Sequence, residues 1–427
     1  MRFNIYTSII QLKNYSIFFE SFSGRFIVAN KVEIDKDKEG VESLYKNNCS
    51  LYAQLLQHEF IVDDDFCEVD RLRDRIYSLD NRDDVFILNL NPTMDCNFHC
   101  WYCYESHNEN SEMSCEVQSS VIQFVENLIS DNNKLKKLCV GFFGGEPLLK
   151  ADSIVKSLID RISHICELNN VELNIGFTTN GYLLNDEFIN YILNFKSYFQ
   201  ITLDGGRANH NKTRFSKYGE NSYDKILGNV IKLISKRIFV MLRINFTRQN
   251  ISSINEIFDD LLFLSQDERN FLTIDFQRVW QERDSKDDDV DDLAQQLRQS
   301  FIKNGFKVSS NYISNVNDTC YGNCRHHVLI NYNGEVFGCT ARDFVTNNRI
   351  GFIDSNGVIH YDYNKRESRL KSRFSKKICW TCRIAPYCGG GCAQRAYESG
   401  NTNECIYGYS DTDIDNLILK LFEQTYC

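Results

Sequence analysis

At 427 residues the chain is too long for one core, and its formal charge of −10 repels the polyanions that a nucleic-acid or anionic-membrane protein must attract. Two or three soluble domains acting on a small or peptide substrate are expected. No run of about 18 apolar residues occurs, and Thr7, Ser8 and Gln11 interrupt the opening segment, so neither a spanning helix nor a signal core is expected and the location is read as cytoplasmic.

Residues 1–82 hold no cysteine pair at metal spacing. Strand-like runs between Ser16 and Ala29, with a turn at Gly24, and helical stretches at Leu51 to His58 and Val69 to Leu79 predict a small α+β module. From Val85 the pattern changes to six apolar runs, VFILNLN, KLCVGFFGG, ELNIGFTTNG, FQITLDGG, FVMLRINFT and FLTIDFQRV. Amphipathic segments separate them: Val117 to Ile129, Ala151 to Leu168, Glu187 to Phe195 and Ser222 to Ser235. Strand and helix in alternation predict an α/β core over 83–300 with a mostly parallel sheet, whose functional residues gather at the C-terminal strand ends. The acidic stretch Glu282 to Asp292 reads as solvated surface. After Gly305, in a third domain at 301–427, the chain is cysteine-rich and reads as loop-rich to about Cys405, then closes with an amphipathic segment from Asp411 to Phe422.

Seventeen cysteines are many for a compartment in which disulfides are rarely kept, so metal ligation is the natural reading. The first expected strand runs into Cys96-Asn-Phe-His-Cys100-Trp-Tyr-Cys103. Three thiolates on a tight loop can hold a [4Fe-4S] cluster with one iron left open, whereas a structural zinc site wants a fourth ligand, which His99 is placed to supply. The CxxxCxxC spacing, with an aromatic before the last cysteine and Tyr104 after it, resembles the radical S-adenosylmethionine (SAM) superfamily over about residues 84 to 280.

That resemblance implies a partial (β/α)6 barrel in which the open iron chelates SAM and the reduced cluster cleaves it to methionine and a 5'-deoxyadenosyl radical. Gly144, Gly145, Glu146 and Pro147 end the second strand; the glycines permit close backbone approach, and Glu146 is placed to accept a hydrogen bond from the SAM ammonium. Thr179 and Asn180, in Thr178-Thr179-Asn180-Gly181, and Thr202 and Asp204, in Thr202-Leu203-Asp204-Gly205, share that rim as candidate SAM contacts. Arg214 and Arg243 are candidates for its carboxylate, with a surface ion pair as the plain alternative.

Eight further cysteines follow: Cys320, Cys324, Cys339, Cys379, Cys382, Cys388, Cys392 and Cys405. Eight is the number that two fully ligated [4Fe-4S] clusters need, and zinc knuckles are the alternative. The spacing resembles the SPASM domain. By that resemblance Cys320, Cys324, Cys339 and Cys392 hold one auxiliary cluster, Cys320 being the least secure ligand, and Cys379, Cys382, Cys388 and Cys405 hold the other, giving three clusters in all. Of the remaining Cys49, Cys67, Cys115, Cys139, Cys166 and Cys427, most read as small buried hydrophobes; a thiol able to return a hydrogen atom to a substrate radical would permit epimerisation.

SPASM-type enzymes largely modify peptides, so the resemblance implies maturation of a ribosomally made precursor with leader and core segments. The N-terminal module resembles a winged-helix leader-recognition element, whose sheet edge can take up an extended leader. A flavodoxin- or ferredoxin-type electron donor and a partner peptide ligase are implied as well. Hydrogen abstraction followed by two-electron oxidation would give a thioether, ether or carbon–carbon crosslink. Sulfatase maturation is the main enzymatic competitor, but the aspartate base that follows the Gly-x4-Cys segment in those enzymes is here Thr340; Arg342 and Asp343 in the same CTARDF segment are candidates to face substrate. A degenerate cluster-bearing electron-transfer protein is the remaining reading.

Overall fold

The computed structural model describes residues 1–219, 221–282, 288–309, 319–400 and 403–426. Cys427 and residues 283–287 of the acidic stretch lie outside the described residues; Asp288–Lys303 is a helix. The chain forms two compact units, one of Met1–Arg82, Tyr312–Arg325 and Asn364–Cys427, the other of Asp83–Asn311 and His326–Tyr363.

In the first unit β1 (Arg2–Phe3), β2 (Thr7–Gln11), β3 (Tyr15–Glu20), β4 (Arg25–Asn30) and β5 (Ile61–Val62) form an antiparallel β2-β3-β4 sheet and a separate β1-β5 pair. Gly24, at φ 70°, makes the expected turn between β3 and β4. Successive side chains of a strand point to opposite faces, and both faces of β3 are covered. Phe18 packs with Val41, Leu44 and Leu55 on one side; Ile17 and Phe19 pack with Ile384, Ile414 and Ile418 on the other. The helices Cys49–Gln57, Glu68–Asp80 and Asp411–Tyr426 stand where the sequence pattern puts them. Lys38–Asn47 is a further helix, too polar to be read from periodicity and started by Asp37, whose side chain accepts from the Gly40 N–H.

In the second unit β6 (Val85–Leu90), β7 (Lys137–Phe142), β8 (Glu172–Thr179), β9 (Ser197–Leu203), β10 (Phe239–Phe246) and β11 (Leu272–Arg278) lie side by side in chain order, all parallel. The expected amphipathic segments return over this sheet as the helices Cys115–Asp131, Lys156–Leu168, Asp186–Ile192 and Tyr223–Ser235. The sheet does not end with six strands. β12 (Lys307–Val308) adds in parallel to β11, and β13 (His327–Ile330) adds in parallel to β6; β14 (Glu335–Phe337), β15 (Arg349–Ile353) and β16 (Ile359–Tyr361) then continue antiparallel, giving eleven strands. The stretch after Gly305 therefore contributes strands where loops were expected, because runs of two to five residues among turn formers carry no readable period.

The apolar runs of β7, β8 and β9 place Phe142, Phe177 and Phe199 in one stacked row, with centroids 5.3 and 4.8 Å apart. Cys166 is buried in the same core and Cys139 is half-buried on β7, while Cys49, Cys67 and Cys115 are exposed. Among the described residues no helix is long and apolar enough to cross a membrane. Phe177→Ala removes the middle ring of the row and leaves a cavity. It is expected to lower unfolding stability by about 3–5 kcal/mol, measured as a shift of the denaturation midpoint against the unaltered chain.

Candidate radical SAM site

The three cysteines sit in the long loop that leaves β6, and each side of that loop is tied to another strand end. Thr93 O accepts from the Gly145 N–H (3.2 Å) and Asp95 O from the Glu146 N–H (2.8 Å). Here the two glycines act on the protein itself: a Cβ on Gly144 would lie 2.4 Å from Thr93 O, and one on Gly145 would lie 2.2 Å from Asp95 O. They permit the loop to seat against the end of β7. Across the loop, Asn97 O accepts from the Lys217 N–H (2.8 Å) and Phe98 bridges to Ser216.

Glu146 is fully buried. Its Oε1 accepts from Thr179 Oγ1 (2.7 Å) and the Leu148 N–H (2.9 Å), and its Oε2 from the Asn180 N–H (2.8 Å). Burial raises its pKa above the usual carboxylate range, and the bonds from Asn180, Thr179 and Leu148 oppose that rise. Asn180 Nδ2 in turn donates to Asn97 Oδ1 (2.7 Å) between Cys96 and Cys100. The GGEP and TTNG motifs thus interlock and hold the cysteine loop.

Tyr102, not singled out by sequence reasoning beyond being an aromatic before Cys103, is the hub of the opposite side. Its hydroxyl donates to Asp204 Oδ2 and accepts from Arg214 (2.7 Å) and Asn245 Nδ2 (3.1 Å). Burial pushes Asp204 up to about 6 against the pull of Arg214 and Tyr102. Thr202 is buried at the end of β9. Arg243 stands beside Asp275 on the neighbouring strand and donates to it through Nε (3.1 Å), so it has a carboxylate partner inside the chain.

The CTARDF segment follows β14. Tyr104 donates to Thr340 O (2.6 Å), and Asp343 accepts from the Ser106 N–H (2.8 Å) and Ser106 Oγ (2.5 Å). Asp343 is therefore engaged with the cysteine loop, while the Arg342 guanidinium lies 5.5 Å from the ring centre of Trp280, which stacks on Tyr104. Trp280 and Tyr104, both largely exposed, were not anticipated as a pair. They come from loops 176 residues apart in sequence.

In the first unit Cys320 and Cys324 flank the turn Tyr321–Asn323. Asn323 donates to Gly391 O (3.2 Å) and accepts from the Ala393 N–H (3.0 Å), bonding on either side of Cys392. Cys339 belongs to the second unit, where its sulfur accepts from the Ala341 N–H (3.2 Å). Cys379, Cys382, Cys388 and Cys405 line one cavity of about 500 Å³ together with Ile5 and Lys36. Lys36 Nζ donates to Ile5 O (2.9 Å) and Thr7 O (2.6 Å). Among the described residues no three His, Cys, Asp or Glu side chains converge closely enough for a single metal ion.

A parallel α/β sheet with a three-cysteine loop, an interlocked GGE and TTN pair and a buried Asp–Tyr–Arg network at its rim defines a radical SAM domain. Residues 90–261 match the radical SAM superfamily, and the chain carries a radical SAM domain there. It is 22% identical to the radical SAM cyclopropyl synthase TigE of Paramaledivibacter caminithermalis over 79% of this chain and 75% of that protein. It is also 22% identical to the cysteine-type anaerobic sulfatase-maturating enzyme of Clostridium novyi, over 73% of this chain and 89% of that one. In fold it resembles native anSMEcpe with bound AdoMet (TM-score 0.59, 18% identity, 80% of this chain and 97% of that chain). It likewise resembles Streptococcus suis SuiB bound to precursor peptide SuiA (TM-score 0.51, 13% identity, 94% and 98%).

The family implies SAM and a [4Fe-4S] cluster, and the residues fit them. Cys96, Cys100 and Cys103 supply three sulfurs on one loop, and Arg214 Nε and Asn97 Nδ2 are buried beside it with no hydrogen-bond partner among the described residues. Burial raises all three thiols, Cys103 to about 11, so they are neutral at pH 7 without iron. Iron binds the thiolate. Cluster assembly on this loop is therefore expected to expel at least three protons, one per thiol in addition to those of the hydrosulfide consumed, and to be favoured by rising pH; indicator-dye titration during anaerobic reconstitution, taken as the difference from a variant with all three cysteines replaced by Ala, checks this, and a difference of less than one proton would contradict it.

Proposed function

We propose that the chain is a peptide maturase that oxidatively crosslinks residues of a ribosomally synthesised precursor through a thioether, ether or carbon–carbon bond. The observation that carries the reading is the cysteine loop with its three thiols, locked by Glu146 and Asn180 to the rim of the sheet. A site closed by four ligands would store metal; an open one does chemistry. With SAM bound, the cluster supplies a 5'-deoxyadenosyl radical that takes hydrogen from unactivated carbon. Glu146, Thr179, Asn180, Thr202, Asp204 and Arg214 orient SAM. Arg342, half-buried beside the exposed Trp280 and Tyr104 stack, would serve as a recognition element for acidic or aromatic side chains of the peptide.

The domains of this reading are an N-terminal winged-helix-like module (1–82) that recognises the leader, a partial (β/α)6 radical SAM barrel (83–300) and a SPASM domain (301–427). One auxiliary [4Fe-4S] cluster takes Cys379, Cys382, Cys388 and Cys405, a set supported by their shared cavity. The other draws on Cys320, Cys324 and Cys392, for which the Asn323 bonds give support, and the sequence resemblance adds Cys339. Held by these cysteines, the auxiliary clusters would supply an acceptor for the electron that the oxidised peptide gives up, and a flavodoxin- or ferredoxin-type protein would supply the electron for the cluster on Cys96, Cys100 and Cys103. A peptide substrate is also supported by the fold likeness to SuiB with its precursor peptide.

Sulfatase maturation is the second reading, favoured by the relationship to the Clostridium novyi enzyme. Against it, the residue after Cys339 is Thr340, whose hydroxyl cannot act as the carboxylate base. Peptide epimerisation would need a hydrogen-donating thiol near the rim.

Anaerobic incubation with SAM and dithionite is expected to release 5'-deoxyadenosine. Replacing Cys96, Cys100 and Cys103 by Ala is expected to abolish that release while retaining iron on the distal cysteines; full SAM cleavage in the triple variant would refute the assignment. With a precursor peptide, mass spectrometry reads the outcome. Loss of two hydrogens marks a crosslink, whereas an unchanged mass that rises only in deuterated solvent marks an epimerase.

A further inference from the structure

His107 lies four residues beyond Cys103, in Cys103-Tyr-Glu-Ser-His107, and its Nε2 is 3.5 Å from Cys103 Sγ. The segment that carries it is pinned on both sides. Tyr104 is held by Thr340 O, Ser106 by two bonds to Asp343, and Asn108 by its N–H to Met94 O (3.2 Å) and its Nδ2 to Tyr332 Oη (2.7 Å). These bonds limit where the backbone can carry the imidazole of His107, which lies within hydrogen-bond reach of the sulfur.

The roles of the two atoms follow from their chemistry. An iron-bound thiolate sulfur only accepts hydrogen bonds, and an unprotonated imidazole nitrogen facing it would set lone pair against lone pair. A contact of this length is favourable when Nε2 carries its proton. A hydrogen bond to a cluster sulfur stabilises the reduced, more negative state over the oxidised one and so raises the reduction potential.

We infer that His107 donates a hydrogen bond from Nε2 to the Cys103 thiolate and sets the reduction potential of the SAM-binding cluster, with Asp343 acting through Ser106 to position it. His107 is a positioning and tuning residue, not a ligand. Asp343 gains a role that requires no contact with substrate.

The test is an EPR-monitored redox titration of the reconstituted full-length enzyme, following the signal that changes when SAM is added, since only the cluster with an open iron responds. Poised where half of the unaltered cluster is reduced, His107→Ala is expected to lower the reduced-to-oxidised ratio about threefold or more, roughly 30 mV for a one-electron couple at 59 mV per decade. His107→Gln, which keeps an N–H donor, is expected to retain most of the ratio. Ser106→Ala is expected to shift it in the same direction by less. An unchanged ratio in His107→Ala overturns the inference, as does a His107→Gln ratio as low as that of the alanine variant. Loss of the SAM-responsive signal in His107→Ala overturns it too, because His107 would then hold the cluster instead of tuning it. None of these readouts depends on the peptide substrate, so they stand apart from the crosslinking proposal.

Discussion

A carboxylate sealed from water must be fully bonded, and the way Glu146 meets that demand organises the site. Desolvating a charge costs several kcal/mol unless hydrogen bonds replace the water. The three donors to Glu146 come from Leu148, Thr179 and Asn180, so the ends of β7 and β8 cannot separate without stripping it. Asn180 then passes the constraint to Asn97, and Gly144 and Gly145 admit the backbone of Thr93 to Asp95. The cysteine loop is long enough to be mobile alone. Its geometry is borrowed from a buried charge on a neighbouring strand.

The far side of the loop obeys the same rule with a different set of groups. Asp204 and Arg214 are both buried, and the Tyr102 hydroxyl between them is donor to one and acceptor to the other. A phenol can do both at once; an ammonium or a carboxylate cannot. Because Tyr102 lies between Cys100 and Cys103, the network that neutralises these two charges also fixes the spacing of the last two thiols. Stability and cofactor placement are therefore properties of the same bonds, and a substitution at this rim changes both together.

The sequence made the parallel strands legible because each is a short run rich in aliphatic and aromatic residues, buried at every second position in β7 and β10, a pattern that survives without knowledge of its neighbours. The cysteine loop was legible for a chemical reason, since three thiols in eight residues at this spacing have few uses besides metal ligation. What escaped was relational. β13 to β16 are too short to show a period, and they belong to the sheet only through the pairing of β13 with β6. Arg243 reads as a free cation until Asp275, 32 residues away, is seen on the adjacent strand. Asp343 reads as a catalytic carboxylate until its partner Ser106 appears, 237 residues upstream. Polar side chains reveal their work only in pairs, and the pairs are long-range.

The two cysteine regions differ in a way that bears on electron flow. Around Cys96, Cys100 and Cys103 the protein supplies three sulfurs with polar groups close by, among them Tyr102, Arg214 and His107. Around Cys379, Cys382, Cys388 and Cys405 it supplies four sulfurs in a largely apolar cavity, with Ile5, Ile384 and Ile414 in the wall. Burial raises Cys379 to about 11 and Cys388 to about 12, and raises Cys382 as well. On the proposed reading, a fully ligated cluster held there would offer no iron to a substrate and would serve to receive or pass on an electron. The division of labour would then lie in ligand count and wall polarity: chemistry where three sulfurs leave one iron open among hydrogen-bond donors, electron transfer where four sulfurs close every iron.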